Sequence, residues 1–185
     1  MSERGGFVIW LTGLSGAGKS TIGNAVANEL ERRGLLVDKL DGDVVRTHLS
    51  AGLGFSKADR DTNIHRIGCV ASRVARAGGV VVVSAISPYE DARQFARSIV
   101  EAHAPFVLVH VATGVDECAR RDVKGLYARA FAGELQEFTG VNDPYEEPRS
   151  PELRLDTEGR SVEDCVGEVF AELESRGLVP EEVPA

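Results

Sequence analysis

Nine consecutive residues, Gly13-Leu14-Ser15-Gly16-Ala17-Gly18-Lys19-Ser20-Thr21, carry the densest chemistry in the sequence. Gly13, Gly18, Lys19 and Ser20 fill every fixed position of the phosphate-binding loop pattern. Glycines let the backbone wrap phosphate oxygens, and successive N–H groups with a helix N-terminus point at the anion. Lys19 would place a point charge at the β- and γ-phosphates, and Ser20 a hydroxyl ligand for Mg²⁺. The competing reading is a glycine-rich turn that binds nothing. The surrounding pattern, a buried strand before and a helix after, favours nucleotide binding.

Acid is needed next. Many phosphate-loop proteins hold the metal with an Asp at the end of a nearby buried strand. The run Val80-Val81-Val82-Val83-Ser84 ends without one, whereas the run before it ends in Asp41-Gly42-Asp43. Strand ends at this edge of a parallel sheet face the ligand crevice. There Asp41 and Asp43 could orient metal-bound water and deprotonate an acceptor hydroxyl. Asp-Gly-Asp is also good turn chemistry, so the reading depends on the loop beside it. Arg46, Arg60 and Arg66 follow, with Phe55 and Asn63 among them. Arg60 and Asn63, three apart at a helix start, share a face. Guanidinium groups grip phosphate or sulfate with paired bonds, and Phe55 offers a stacking surface. A solvated, charge-paired helix face stays open here, because Asp59 and Asp61 are adjacent. Farther on, Arg120, Arg121, Lys124 and Arg129 stand against Asp122. A cationic segment closing over phosphates would neutralise transition-state charge and exclude water. An exposed basic helix is the alternative. Phe138 fits either a packing anchor or a base platform.

These groups need a scaffold. Phe7 to Thr12 is a continuous apolar run, which reads as a strand buried on both faces. Ile22, Val26 and Leu30 predict a helix after the loop, stopped by Gly34. Further strands are predicted over Leu35–Leu40, Val80–Val83, Phe106–Val111 and Leu153–Leu155. Ser56 with Asp59 marks a helix start, with Ile64, Ile67, Ala71, Val74 and Ala75 as its apolar face. Helices are also expected through Phe95 and Ile99, over Val115–Ala132, and after Ser161 with Val169, Phe170 and Leu173 on one face. The alternation predicts an α/β phosphate-loop NTPase fold: a five-stranded, mostly parallel sheet with helices on both faces. It forms one domain over residues 7–178, with a flexible N-terminus at 1–6 and a disordered tail at 179–185. A mobile lid is expected from about residue 120 to 151, an irregular stretch that holds Pro144, Pro148 and Pro151.

Composition excludes several classes. The 185 residues carry 21 Lys and Arg against 29 Asp and Glu, a net charge of −8, which argues against a nucleic-acid partner. The charge is uneven. Residues 1–129 hold 17 basic and 14 acidic side chains, and residues 131–185 hold four and 15. The half with the loop is therefore mildly cationic, as a site for polyanions requires. Only four of the basic residues are lysines, and two of these, Lys19 and Lys124, fall on the segments above. Cys69, Cys118 and Cys165 have no metal spacing and read as small buried thiols in a reducing compartment. No signal-peptide pattern and no apolar run of ~20 residues is present, so a cytoplasmic protein without a membrane partner is expected.

In this order the motifs resemble the adenylyl-sulfate kinases (APS kinases), over about Phe7 to Leu173. The specific stretches are Leu40-Asp41-Gly42-Asp43-Val44-Val45-Arg46, Leu53 to Arg60 with Asn63, Ser84-Ala85-Ile86-Ser87-Pro88, Lys124-Gly125-Leu126-Tyr127 and Phe138-Thr139-Gly140. The resemblance implies phosphorylation of the ribose 3′-hydroxyl of adenylyl sulfate (APS) by ATP, with Mg²⁺, giving the activated sulfate donor PAPS. It implies that Arg46, Arg60 and Asn63 hold the acceptor, that Phe55 and Phe138 sandwich its adenine, and that Ile86 and Ser87 touch it. Lys124 would close over the ligands and Arg121 would join Gly13 to Thr21 on ATP. Asp43 and Asp41, with Lys19 and Ser87, form the expected catalytic set, and Ser20 and Asp41 the metal set. Ser87 also matches a serine that some relatives phosphorylate. A homodimer is expected, with ATP sulfurylase as a further partner, and the length suits the stand-alone kinase form. Two positions depart from the family pattern: Val44 where Asn is usual, and Asn142 where an acid is usual. The rival readings are a small-molecule kinase with another hydroxyl acceptor and a nucleotide-binding regulatory module without turnover.

Overall fold

Phe7–Thr12 forms strand β1, and all six residues are buried. Successive side chains of a strand alternate between faces. Phe7, Ile9 and Leu11 accordingly join one core, and Val8 and Trp10 the other. The computed structural model describes residues 5–180. Around β1 the chain adds α1 (Lys19–Arg32), β2 (Val37–Asp41), α2 (Gly42–His48), α3 (Lys57–Arg76), β3 (Val80–Ser84) and α4 (Glu90–Glu101). It continues with β4 (Phe106–Val111), α5 (Val115–Arg121), α6 (Leu126–Phe131), β5 (Leu153–Leu155) and α7 (Val162–Ser175). The sheet order is β2-β3-β1-β4-β5, and every neighbouring pair is parallel.

Both faces are covered as the apolar spacing predicts. Ile22, Val26 and Leu30 of α1 and Val169, Phe170 and Leu173 of α7 fill one core. Ile64, Ile67 and Ala71 of α3 and Ala96 and Val100 of α4 fill the other. Register then fixes where the chemistry emerges. Leu11 pairs with Ser84, and Ser84 with Asp41. The phosphate loop and the Asp-Gly-Asp turn therefore leave the same edge of the sheet, two strands apart.

Some expectations change. The predicted single helix over Val115–Ala132 is two helices. Asp122 (φ 24°) and Gly125 (φ 66°) turn the chain between them. The Asp122 carboxylate then caps the second helix, accepting from the N–H groups of Tyr127 and Ala128 at 3.0 Å each. A helix was not expected after Asp41, but the Asp41 side chain accepts from the Asp43 N–H and caps α2. Cys118 and Cys165 are buried, whereas Cys69 on α3 is exposed. The expected tail begins inside the fold: Val179 is 3% exposed and joins the α1–α7 core. The expected N-terminal arm also reaches the fold early, since Gly6 is buried against Gly79 and Ala75. The outer parts of both segments lie outside the described residues. Among those residues no helix is long and apolar enough to cross a membrane.

Ile67 is fully buried between α3 and the sheet. Ile67→Ala is expected to cost about 2–5 kcal/mol. Urea denaturation followed by circular dichroism measures it; a cost under about 1 kcal/mol would contradict this packing.

Candidate active site

β1 delivers the chain into a loop that only glycine can build. At Gly13, φ is 146° and an added Cβ would lie 2.3 Å from the Val111 carbonyl oxygen. Gly18, at φ 107°, caps α1. Lys19 is 8% exposed and donates its Nζ–H to the Leu14 carbonyl at 2.7 Å, so the loop closes on its own lysine. Burial lowers the Lys19 ammonium from the ordinary 10.5 to about 8, with Cys118, Asp41 and Asp43 opposing that shift.

The back of the loop is pinned from three directions. Thr113, after β4, and Thr157, after β5, each donate to the Ala17 carbonyl at 3.0 Å. Tyr127 of α6 donates its hydroxyl to the Ser15 carbonyl at 2.9 Å. Arg121 of α5 donates to Thr157 Oγ1 at 2.9 Å and to the Thr157 carbonyl at 3.1 Å. Arg121, expected on ATP, adds a third bond, to Glu117 at 2.7 Å, and reaches the Gly16 carbonyl of the loop at 3.5 Å. Thr157 was missed by sequence reasoning. A hydroxyl just past the end of a parallel strand is the signal that could have found it. Tyr127 closes the Lys124-Gly125-Leu126-Tyr127 stretch, and its role comes from the fold alone.

Ser20 Oγ donates to Asp41 Oδ2 at 2.6 Å, and Asp41 Oδ1 accepts the Asp43 N–H at 2.9 Å. The sequence placed Asp41 and Asp43 together; the structure adds that each has a separate partner. Asp43 pairs with Lys124 from the α5–α6 turn. That contact raises the Lys124 ammonium, with burial opposing.

These groups line one cavity of about 500 Å³. Its far wall holds Arg46, Phe55, Arg60, Asn63 and Phe138. The guanidinium carbons of Arg46 and Arg60 lie 4.7 and 5.5 Å from the Phe55 ring centroid. Arg60 is buried and also donates to the carbonyls of Phe55 and Glu137. Phe138 meets the Tyr127 ring edge-on at 5.0 Å. Asn142 folds the Phe138 turn: its Oδ1 accepts the Phe138 N–H at 2.6 Å and its Nδ2 donates to the Leu135 carbonyl at 2.7 Å. A carboxylate could not make the second bond. Val44, the other departure, is 58% exposed next to Asp43. A wider hollow of about 620 Å³ lies beside Leu14, His110 and Tyr145. It contains neither Lys19 nor Asp41 nor Asp43, so the chemistry belongs to the smaller cavity.

The cavity gathers Ser15, Gly16, Gly18, Lys19, Ser20, Thr21, Asp41, Asp43, Arg46, Phe55, Arg60, Asn63, Ile86, Ser87, Lys124 and Phe138. Gly13 and Ala17 shape the loop from behind, and Leu14 lines the other hollow. Ser87 differs from the other cavity residues in where its hydroxyl points. It is 1% exposed, and its Oγ accepts from Trp10 Nε1 at 3.0 Å and reaches the Ala85 carbonyl at 3.4 Å. In this arrangement its hydroxyl is bonded into the core, although the residue also lines the cavity. Arg66 bonds the Leu49 carbonyl, and Arg129 pairs with Glu134, both away from the cavity.

A parallel sheet whose central strand runs into such a loop, opening on the same cavity as an aromatic, arginine-bearing wall, defines a phosphate-loop kinase. The sequence profile of the adenylylsulphate kinase family matches residues 5–156, and the chain belongs to that family. It is 51% identical to the adenylyl-sulfate kinase of Synechococcus sp. (strain JA-2-3B'a(2-13)), over 97% of this chain and 100% of that one. It is 50% identical to a probable bifunctional SAT/APS kinase 2 of Sorangium cellulosum, of which it spans 30%. The structure of the Mycobacterium tuberculosis APS kinase, in complex with AMPPNP and APS, superposes with a TM-score of 0.88 at 44% identity. That match covers 92% of this chain and 99% of that one.

Lys19 gives a pH prediction. The free loop loses its charge as pH rises through about 8. Affinity for AMPPNP, measured by calorimetry, should fall about tenfold per pH unit above that point. Folding stability should move the other way. The unfolded lysine keeps its proton to about 10.5, so the fold gains stability with rising pH between about 8 and 10.5. An AMPPNP affinity flat from pH 7 to 9 would contradict the buried ammonium.

Proposed function

We propose that this chain transfers the γ-phosphoryl group of ATP to the 3′-hydroxyl of APS, giving PAPS and ADP. The observation that carries the reading is one cavity that joins the loop to an aromatic, arginine-bearing wall, with Asp43 between them. Such a wall suits an acceptor with a flat base and two anionic groups.

ATP phosphates would sit on the N–H groups of Gly13–Thr21, with Lys19 exchanging the Leu14 carbonyl for a phosphate oxygen. The oxygen pair Ser20 Oγ and Asp41 Oδ2, 2.6 Å apart at the loop, fits a hard cation that takes few protein ligands. Ser20 and Asp41 would hold Mg²⁺, which when bound neutralises charge across the β- and γ-phosphates. Arg46 and Arg60 would grip the phosphosulfate, Asn63 the ribose, and Phe55 and Phe138 the adenine. Asp43 would accept a hydrogen bond from the 3′-hydroxyl and aim its oxygen at the γ-phosphorus. In a loose transition state the proton leaves late, so Asp43 acts mainly by orienting. Lys124 would leave Asp43 and turn its charge to the transferring group. The segment 120–151 would act as the lid, since its α5–α6 turn supplies Lys124 and its later loop supplies Phe138. A reaction that adenylylates sulfate must supply the acceptor, in keeping with the fused Sorangium relative. A homodimer belongs to the same reading.

Asp43→Ala should leave a folded protein whose turnover is about 10²–10³-fold lower, with ATP affinity little changed. Mass detection of PAPS from ATP and APS measures it. Near-normal turnover in a folded variant would remove Asp43 from the chemistry. Silence of the unaltered protein with APS, alongside ADP release with another hydroxyl acceptor, would overturn the substrate.

A further inference from the structure

The acceptor wall at Ile86–Ser87 is held from behind. Ser87 has φ 48°, a left-handed conformation that a residue with a side chain rarely adopts. Such backbone persists where its surroundings over-determine it. Trp10 fixes the Ser87 hydroxyl, and Arg93 Nη1 donates to the Ser87 carbonyl at 2.6 Å. Arg93 lies on α4, is 1% exposed and does not line the cavity. Its Nη2 donates to the Glu146 carbonyl at 2.6 Å and to Glu90 Oε2 at 2.6 Å.

One guanidinium therefore spans two segments. The first is Ala85–Pro88, in the cavity wall. The second is the loop that carries Phe138, which other bonds stitch to the first. The Glu146 N–H donates to the Pro88 carbonyl at 2.8 Å, and Tyr89 donates its hydroxyl to Asp143 Oδ2 at 2.9 Å. The Phe138 carbonyl in turn accepts from the N–H groups of Asn142 and Asp143, at 3.2 Å each. A buried ion pair needs only Glu90; the two carbonyls are extra, and they come from the two acceptor-side segments. The planar fork of arginine can meet all three groups at once, and a lysine cannot.

We propose that Arg93 is a positioning residue for the acceptor: it fixes the Ile86–Ser87 wall relative to the Phe138 loop and so shapes the acceptor slot without touching the ligand. The inference rests on the acceptor reading above. Arg93→Lys, which keeps the charge beside Glu90, tests it in the full chain. The KM for APS should rise about tenfold or more, while the KM for ATP stays within about twofold. Glu90→Gln, which loosens the guanidinium without removing it, should give a smaller rise of the same kind and carries the test if Arg93→Lys does not fold. Equal rises for both substrates, or a lower melting temperature with both KM values unchanged, would overturn the proposal. Trp10 is the chain's single tryptophan, and its indole N–H ends on Ser87. Its emission in ligand-free Arg93→Lys should therefore shift. If the unaltered protein makes no PAPS, the acceptor reading falls, and this emission alone decides: a spectrum identical to that of the unaltered protein overturns the positioning role.

Discussion

The structure depends on keeping a buried ammonium inside a loop whose own N–H groups must stay free for an anion. Lys19 is 8% exposed, and its charge is answered by the Leu14 carbonyl and by Asp41 and Asp43 nearby. Burying an ion is costly unless it is bonded and paired. A glycine loop is also the most mobile backbone available. The remedy is support from outside. Thr113, Thr157 and Tyr127 take up carbonyls on the loop's back, leaving its front for the ligand. These three residues come from chain segments that follow β4, β5 and the α5–α6 turn, so the loop is rigid only when the whole sheet is assembled.

The same economy holds across the cavity. Each group that should meet a ligand already has a protein partner: Lys19 the Leu14 carbonyl, Ser20 the Asp41 carboxylate, and Asp43 the Lys124 ammonium. Binding would exchange these bonds rather than create them from nothing, so the net gain per bond is modest. The pairs differ in how firmly they are held. The Lys124 and Asp43 side chains are 61% and 74% exposed, and an ion pair that open contributes at most about 1 kcal/mol. Lys19 is shielded and moves least readily. The half of the site on the α5–α6 turn is therefore the easily rearranged half, and the half on α1 is the fixed one.

The acceptor side solves a different problem. Ser87 adopts a conformation its side chain disfavours, and Arg93 and Trp10 hold it there. A serine that the sequence places at the acceptor thus also bonds into the core behind it. Asn142 shows the reverse. In the sequence it stands out only as a departure from the family pattern; in the fold its amide makes the two bonds that shape the Phe138 turn.

The sequence by itself determined the order of the five strands and the long helices between them, the two apolar faces of the sheet, the loop and the neighbouring carboxylates. Those follow from period, cap and glycine spacing, which act over a few residues. Ser56 and Ser161 cap their helices as their spacing requires. Where local pattern was silent, it failed: the charge-rich stretch after Val115 has helical spacing, but Asp122 and Gly125 break it through backbone angles that composition does not encode. The remainder belonged to tertiary structure. Sheet register brings Asp41 to the loop, and crossovers bring Lys124 to Asp43 across 81 residues. Packing of α4 on the sheet sets Arg93 between Ser87 and Glu146. No periodicity announces such contacts, because each depends on where two distant segments end up once their apolar faces are buried.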